Sequence, residues 1–237
     1  MGLGSVRAHR AHRVDPGRIA TRQGPIGTLA RVADLEPMTT RAMILAEASH
    51  LFAEQGFEGT SLNDIAAGVG IKRASVLHHF PSKDAIYQEV FNTALAEWVG
   101  RVMEASQQER PDRGWSYVDD ILTTAFWYFT DNPNFVAILR RELLSRDSKL
   151  GIDLAEGIRP MFHQACNYFQ REMDAGTFRQ FDPEQLMLTG YGALMSYFSD
   201  LSFMEKLLER DPRDPEMLER RLENVRIFFR AALLPDA

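Results

Sequence analysis

The sequence predicts an all-α chain of about nine helices, with a short three-helix unit near the N-terminus and a longer helical part behind it. Three observations carry that expectation. Apolar residues recur at i, i+3, i+4 spacing from residue 39 onward. Turn signals, mostly Gly or an Asp-Pro or Asn-Pro pair, fall at helix-length intervals. No apolar–polar alternation lasts long enough to build a sheet. The 237 residues are 45% hydrophobic and 25% charged, which excludes whole-chain disorder and collagen. No apolar run approaches the ~18 residues of a spanning helix; the longest, 186–198, is broken by Gly190 and Gly192. No apolar stretch follows the N-terminal arginines, so no secretory signal and a cytoplasmic location are expected. One cysteine, Cys166, excludes an intrachain disulfide and a multi-cysteine zinc site. Neither a metal nor a cofactor is expected.

Taken in order, residues 1–37 read as a flexible arginine-rich arm. Glycines and prolines interrupt any period, and Arg7, Arg10, Arg13, Arg18, Arg22 and Arg31 face one acid, Asp15, within residues 1–31. The arm could reach a neighbouring minor groove, and Met38 offers an alternative start. Net charge is −6, which excludes a protein that coats nucleic acid, yet it is uneven: residues 1–90 carry ten Lys and Arg against nine acids, and residues 91–237 seventeen against twenty-four.

From Thr39 the apolar spacing of Met43, Ala46, Phe52 and Ala53 predicts a helix that Gly56 stops. Ser61 and Asp64 have the spacing of a capping box, so a second helix starts at Ser61, and Gly70 is placed to end it in the left-handed conformation. A third spans 72–79. Ser82 then caps a long helix over 82–108, ~40 Å at 1.5 Å per residue and long enough to link two parts of the protein. Later helices are bounded at Asp131–Pro133, Asp147–Ser148, Gly176, Asp182–Pro183, Asp211–Pro212 and Asp214–Pro215.

Residues 38–84 thus form a helix-turn-helix braced by a preceding helix. Small Ala66 and Ala67 fit the crossing, and Ile71, Val76 and Phe80 back the last helix. Its outward face holds Lys72, Arg73, Ala74, Ser75, His78 and His79, a set able to enter the major groove of double-stranded DNA. Arg73 suits a bidentate guanine contact or a phosphate; Ser75 and His78 suit base edges or phosphate; His79 suits the groove or the core behind it. Lys83, at the start of the long helix, is expected at a phosphate. Thr60 and Ser61 offer cap hydroxyls, and Arg41 a backbone contact.

The run Thr60, Ser61, Leu62, Asn63, Asp64, Ile65, Ala66, followed by Gly70, Ile71 and then Val76, Leu77, His78, His79, Phe80, Pro81, Ser82, Lys83, resembles the N-terminal domain of TetR-family transcriptional regulators. Spacing from Asp64 to Phe80 matches without a gap, and the remaining chain matches in length and helical character only. The resemblance implies a homodimeric all-α repressor with a variable, ligand-binding C-terminal domain. Two positions depart from it. Leu77 stands where the family usually has a tyrosine that touches a DNA phosphate, and Lys72 where a serine or threonine often caps the recognition helix. One neutral phosphate donor is lost and a cation gained, so phosphate anchoring is partly shifted.

Residues 85–237 are expected to bind a small, largely hydrophobic effector and to form the dimer. Trp98, Phe126, Phe162, Cys166 and Tyr191 are the candidate cavity lining. The last two helices, over 184–209 and 216–234, are the dimer candidates: Gly190 and Ala193 permit close approach, while Leu186, Leu194, Tyr197, Leu201, Leu218, Leu222, Val225 and Phe229 supply apolar area. A two-fold dimer implies a near-palindromic operator. By the resemblance, effector binding tilts the long helix and changes the separation of the two heads. A tenfold loss of operator affinity needs ~1.4 kcal/mol of differential binding. No catalytic triad, phosphate loop or metal-ligand helix pair is visible, so an enzyme is not expected. The competing reading is an all-α ligand-binding or interaction module with lost or altered DNA binding, suggested by Leu77.

Overall fold

A computed structural model describes residues 38–108, 114–145, 148–151 and 153–235; the arm expected over 1–37 lies outside the described residues. Within Met38–Ala237 these residues form one compact unit. Among them the chain makes ten helices and no strand: α1 Thr40–Gly59, α2 Leu62–Val69, α3 Arg73–His79, α4 Lys83–Gln107, α5 Trp115–Asp131, α6 Pro133–Leu144, α7 Leu154–Asp174, α8 Pro183–Ser199, α9 Leu201–Leu208 and α10 Pro215–Leu233. None is long and apolar enough to cross a membrane.

The helix starts follow capping chemistry. Thr39, Ser61, Ser82, Asp153, Asp182 and Asp214 each accept a backbone N–H of the first turn, and Pro183 and Pro215 open helices whose first N–H needs no partner. Two boundaries differ from expectation. Gly56 does not end the first helix; it takes φ 75° and kinks the chain, which resumes helical geometry to Gly59. The helix expected over 184–209 is two helices. Asp200 leaves helical geometry at φ −116°, and its carbonyl accepts the N–H groups of Phe203 and Met204 to start α9.

The core is one continuous cluster. Phe52, Ile65, Val76 and Phe80 of the N-terminal helices join Tyr87, Val90 and Phe91 of α4, and through Phe135, Tyr128 and Phe126 the cluster reaches Phe198 and Phe229. Burying each such side chain favours the fold by ~1.5–3 kcal/mol, so no apolar seam divides the head from the body. Polar bonds reinforce the junction from α6. Arg141 donates to the carbonyls of Ala53 and Glu54, 3.2 and 3.0 Å away, just ahead of the Gly56 kink. Beside it, Glu142 accepts the Tyr87 hydroxyl at 2.6 Å and the Ser148 hydroxyl at 2.7 Å. Burial, reinforced by that carboxylate, pushes the Tyr87 phenol far above its ordinary value, so it remains a donor.

Tyr87→Phe keeps the ring against Phe52 and Phe57 but removes the donor to Glu142. Urea unfolding should show a loss of about 1–3 kcal/mol. An unchanged midpoint would mean that this bond does not hold α4 to α6.

Candidate nucleic-acid interface

The geometry of α2, its turn and α3 is set locally. Ser61 and Asp64 form the reciprocal box: the Asp64 N–H donates to the Ser61 hydroxyl at 3.2 Å, and the Ser61 N–H to the Asp64 carboxylate at 2.9 Å. Hydrogen bonding to Ser61, side chain first and then backbone, holds the Asp64 carboxyl below its ordinary value. Gly70 ends α2 at φ 77°, and the Ile71 N–H bonds back to the Ala66 carbonyl at 2.9 Å. A methyl group would find open space at Gly70, so the glycine serves the left-handed backbone rather than a close approach. Lys72 precedes α3 in extended geometry and gives it no side-chain cap. Of the two alanines expected at the crossing, Ala66 is buried there; Ala67 is exposed, because only one small residue per turn can face the neighbouring helix.

The structure splits α3 sharply. Val76 is fully buried and Phe80 nearly so, while Lys72, Arg73, Ala74, Ser75, Leu77 and His78 are exposed. His79 is half-buried with its ring against His78, between the two positions left open for it. An open groove beside the helix is lined by Thr40, Ile71, Ala74, Ser75, His78 and His79. The helix carries no acid.

Three of the candidate DNA-contact residues, Lys83, Thr60 and Arg41, are engaged by groups of the chain itself. Lys83 donates to the carbonyls of Phe57 and Thr60, 2.7 and 3.0 Å away, with its ammonium 4.1 Å from the Phe57 ring centroid. It places a cation against carbonyls at the end of α1, as favoured at a helix C-terminus. Thr60 is 1% exposed and its hydroxyl donates to Gly56 at 2.9 Å. Arg41 grips both oxygens of Glu89 and lies over the Phe80 ring, 4.7 Å from its centroid. That hydrogen bond to Glu89 raises its pKa. Ser61 stays at the surface.

The expected ligand set is scattered. Phe126 is fully buried and packs edge-on against Phe198, a core position. Tyr191 is 46% exposed, on the outer side of α8. Phe162 is half-buried beside His163, and Cys166 is buried, its thiol pushed up mainly by desolvation. Trp98 stacks on Phe129, and its indole N–H is buried without a partner. A cavity of about 140 Å³ lies elsewhere, between α1, α4 and the start of α6, lined among others by Ser49, Phe91, Asn134 and Phe135. Among the described residues no group of His, Cys, Asp and Glu is placed to hold a metal ion.

The dimer set needs the same correction. Leu186, Leu194, Tyr197, Leu218, Leu222, Val225 and Phe229 are buried inside this chain, and Gly190, Ala193 and Leu201 are half-buried. Gly190 faces the Phe229 ring, and Arg221 donates to the Ala193 carbonyl at 2.7 Å, so long side chains of α10 span to the inner side of α8. The opposite sides leave Leu188, Tyr191, Ile227 and Phe228 exposed. A signal for this second face was present: Val225, Ile227, Phe228 and Phe229 make α10 apolar in two directions, more than one packed side requires.

Comparison with known proteins agrees with this geometry. Residues 44–90 match the family described as bacterial regulatory proteins, tetR family, and residues 116–226 the tetracyclin repressor-like C-terminal domain. The chain is 22% identical over 192 residues to the HTH-type transcriptional regulator RutR of Escherichia coli, covering 81% of this chain and 89% of RutR. It is 50% identical over 46 residues to IcaR of Staphylococcus aureus, the negative transcriptional regulator of the biofilm operon icaADBC, covering 19% and 25% of the two chains. The crystal structure of AibR in complex with isovaleryl coenzyme A and operator DNA superposes with a TM-score of 0.63 at 16% identity, covering 78% of this chain and 95% of AibR.

Lys83→Met should lower unfolding free energy by about 1–3 kcal/mol, because it leaves two carbonyls without their cation. In DNA titrations it should leave the dependence of affinity on salt unchanged. A slope shallower by about one unit would return Lys83 to a phosphate.

Proposed function

Since the chain belongs to the tetR family of bacterial regulatory proteins, we propose that it is a cytoplasmic, ligand-responsive transcriptional repressor that binds a near-palindromic operator as a homodimer. The observation that carries this reading is α3 itself. Its inner side is locked by fully buried Val76, and its outer side presents Lys72, Arg73, Ser75 and His78 with no intervening acid. Arg73 is the base-reading residue of that face, and Ser61 a backbone contact. The division of labour follows the chain: residues 38–84 the DNA-reading head, 85–237 the effector and dimer domain.

The dimer forms through the outer sides of α8 and α10. Leu188, Tyr191, Ile227 and Phe228 are all large and all exposed, and Gly192 has open space around it for a close neighbour. The effector is largely hydrophobic and carries an acceptor for the Trp98 N–H, a buried donor that costs free energy until something meets it. AibR, which resembles this chain in fold, is described with isovaleryl coenzyme A bound, a ligand whose acyl end is the apolar kind of group meant here. Effector binding acts on α4 and α6, which Tyr87 and Glu142 join to each other and which Arg141 ties to α1.

In mobility-shift titrations on duplexes that the full chain enriches from a random-sequence pool, Arg73→Ala should lose about ten- to hundredfold in specific affinity. His78→Ala should lose less, and weak binding to unrelated DNA should persist in both. Equal losses on specific and unrelated DNA would reduce Arg73 to a phosphate contact, and absence of any enriched duplex would favour the interaction module.

Sedimentation tests the dimer. The wild-type chain should run at twice 26.9 kDa, and Phe228→Glu at 26.9 kDa, with its helical content kept because the side chain is exposed. A dimer that survives Phe228→Glu would place the interface elsewhere.

A further inference from the structure

We propose that Leu77, together with Ala74, reads the C5-methyl groups of thymine, which makes Leu77 a specificity-determining residue of the operator contact. The inference rests on the DNA-binding reading above and adds which base feature one part of the helix recognises.

Leu77 is 41% exposed, although its neighbour Val76 is fully buried. It belongs neither to the buried core nor to the half-buried residues packed against that core. A lone exposed leucine on a soluble protein needs no explanation. This one differs in its position. Residues 73, 74, 77 and 78 lie one helical turn apart on one face, so Leu77 sits in the middle of the side that carries Arg73 and His78, with Ala74 directly before it.

A leucine side chain neither donates nor accepts a hydrogen bond. It therefore cannot hold a phosphate, and facing a bare donor or acceptor of a base edge it would strip water from that group without replacing it. In the major groove the thymine methyl is the apolar feature that distinguishes one base pair from another, and short apolar side chains are its usual complement. Ala74 extends the same apolar surface, while Arg73 and His78 supply the polar contacts on either side. The leucine thus forgoes a phosphate bond and gains discrimination of thymine from cytosine.

The test uses the full-length chain and duplexes it enriches from a random-sequence pool. Each thymine is replaced in turn by deoxyuridine, which deletes the methyl and keeps the pairing. Wild-type affinity should fall about fourfold for each contacted methyl, at one or two positions per half-site. Leu77→Ala should bind the thymine duplex more weakly, show no response to deoxyuridine at those positions, and keep the wild-type salt dependence. Indifference of the wild-type chain to every replacement overturns the inference, as does a Leu77→Ala variant that remains fully methyl-sensitive. The wild-type series decides even if the variant does not fold. Enrichment of no duplex at all overturns the DNA-binding reading and this inference with it, whereas enriched duplexes that ignore the methyl overturn the inference alone.

Discussion

A seven-residue helix does not persist in water on its own, since nucleation costs more than one or two turns return. α3 is that short, and it has no side-chain cap. It exists because its inner side is nailed down: Val76, and Phe80 just past its end, are buried in the core cluster that holds Ile65, Phe52 and Ile86, and the left-handed Gly70 fixes the angle at which the chain leaves α2. With the inner residues committed, the other side chains of α3 are turned outward, His79 only in part. The recognition surface is what remains once the core has taken its share.

The same scarcity of local stability explains where the cations go. Two long side chains from distant elements meet carbonyls on either side of the Gly56 kink. Lys83 reaches Phe57 and Thr60 from α4, and Arg141 reaches Ala53 and Glu54 from α6. The head is therefore held by charge-assisted bonds from the helices that also line the junction with the body. A rearrangement of α6 or α4 has to break these bonds or carry the end of α1 with it.

Much of the head was legible beforehand, because its determinants are local. The capping box, the left-handed glycine and the alternation of buried and exposed residues in α3 each depend on neighbours within four or five positions. The departure at Leu77 was also visible, but only burial showed that the residue stays on the outer face. The reassignments share one cause. Lys83, Thr60 and Arg41 have the chemistry of phosphate contacts, and sequence spacing cannot reveal that a carbonyl, a turn or Glu89 lies within reach. In the body, apolar residues on α8 and α10 outnumber one stripe, and the pattern alone does not say which stripe faces inward.

The sequence by itself determined the all-helical class, the order of the helices, the turn between α2 and α3 and the chemistry of the outward face. These follow from backbone propensity and from contacts close along the chain. Tertiary structure decided which cations remain free, which side of α8 and α10 stays uncovered, and how firmly the head is joined to the body. Each of those depends on groups 26 to 107 residues apart, such as Lys83 with Phe57, Arg141 with Ala53 and Arg226 with Asp119. Only folding brings such groups within hydrogen-bonding distance.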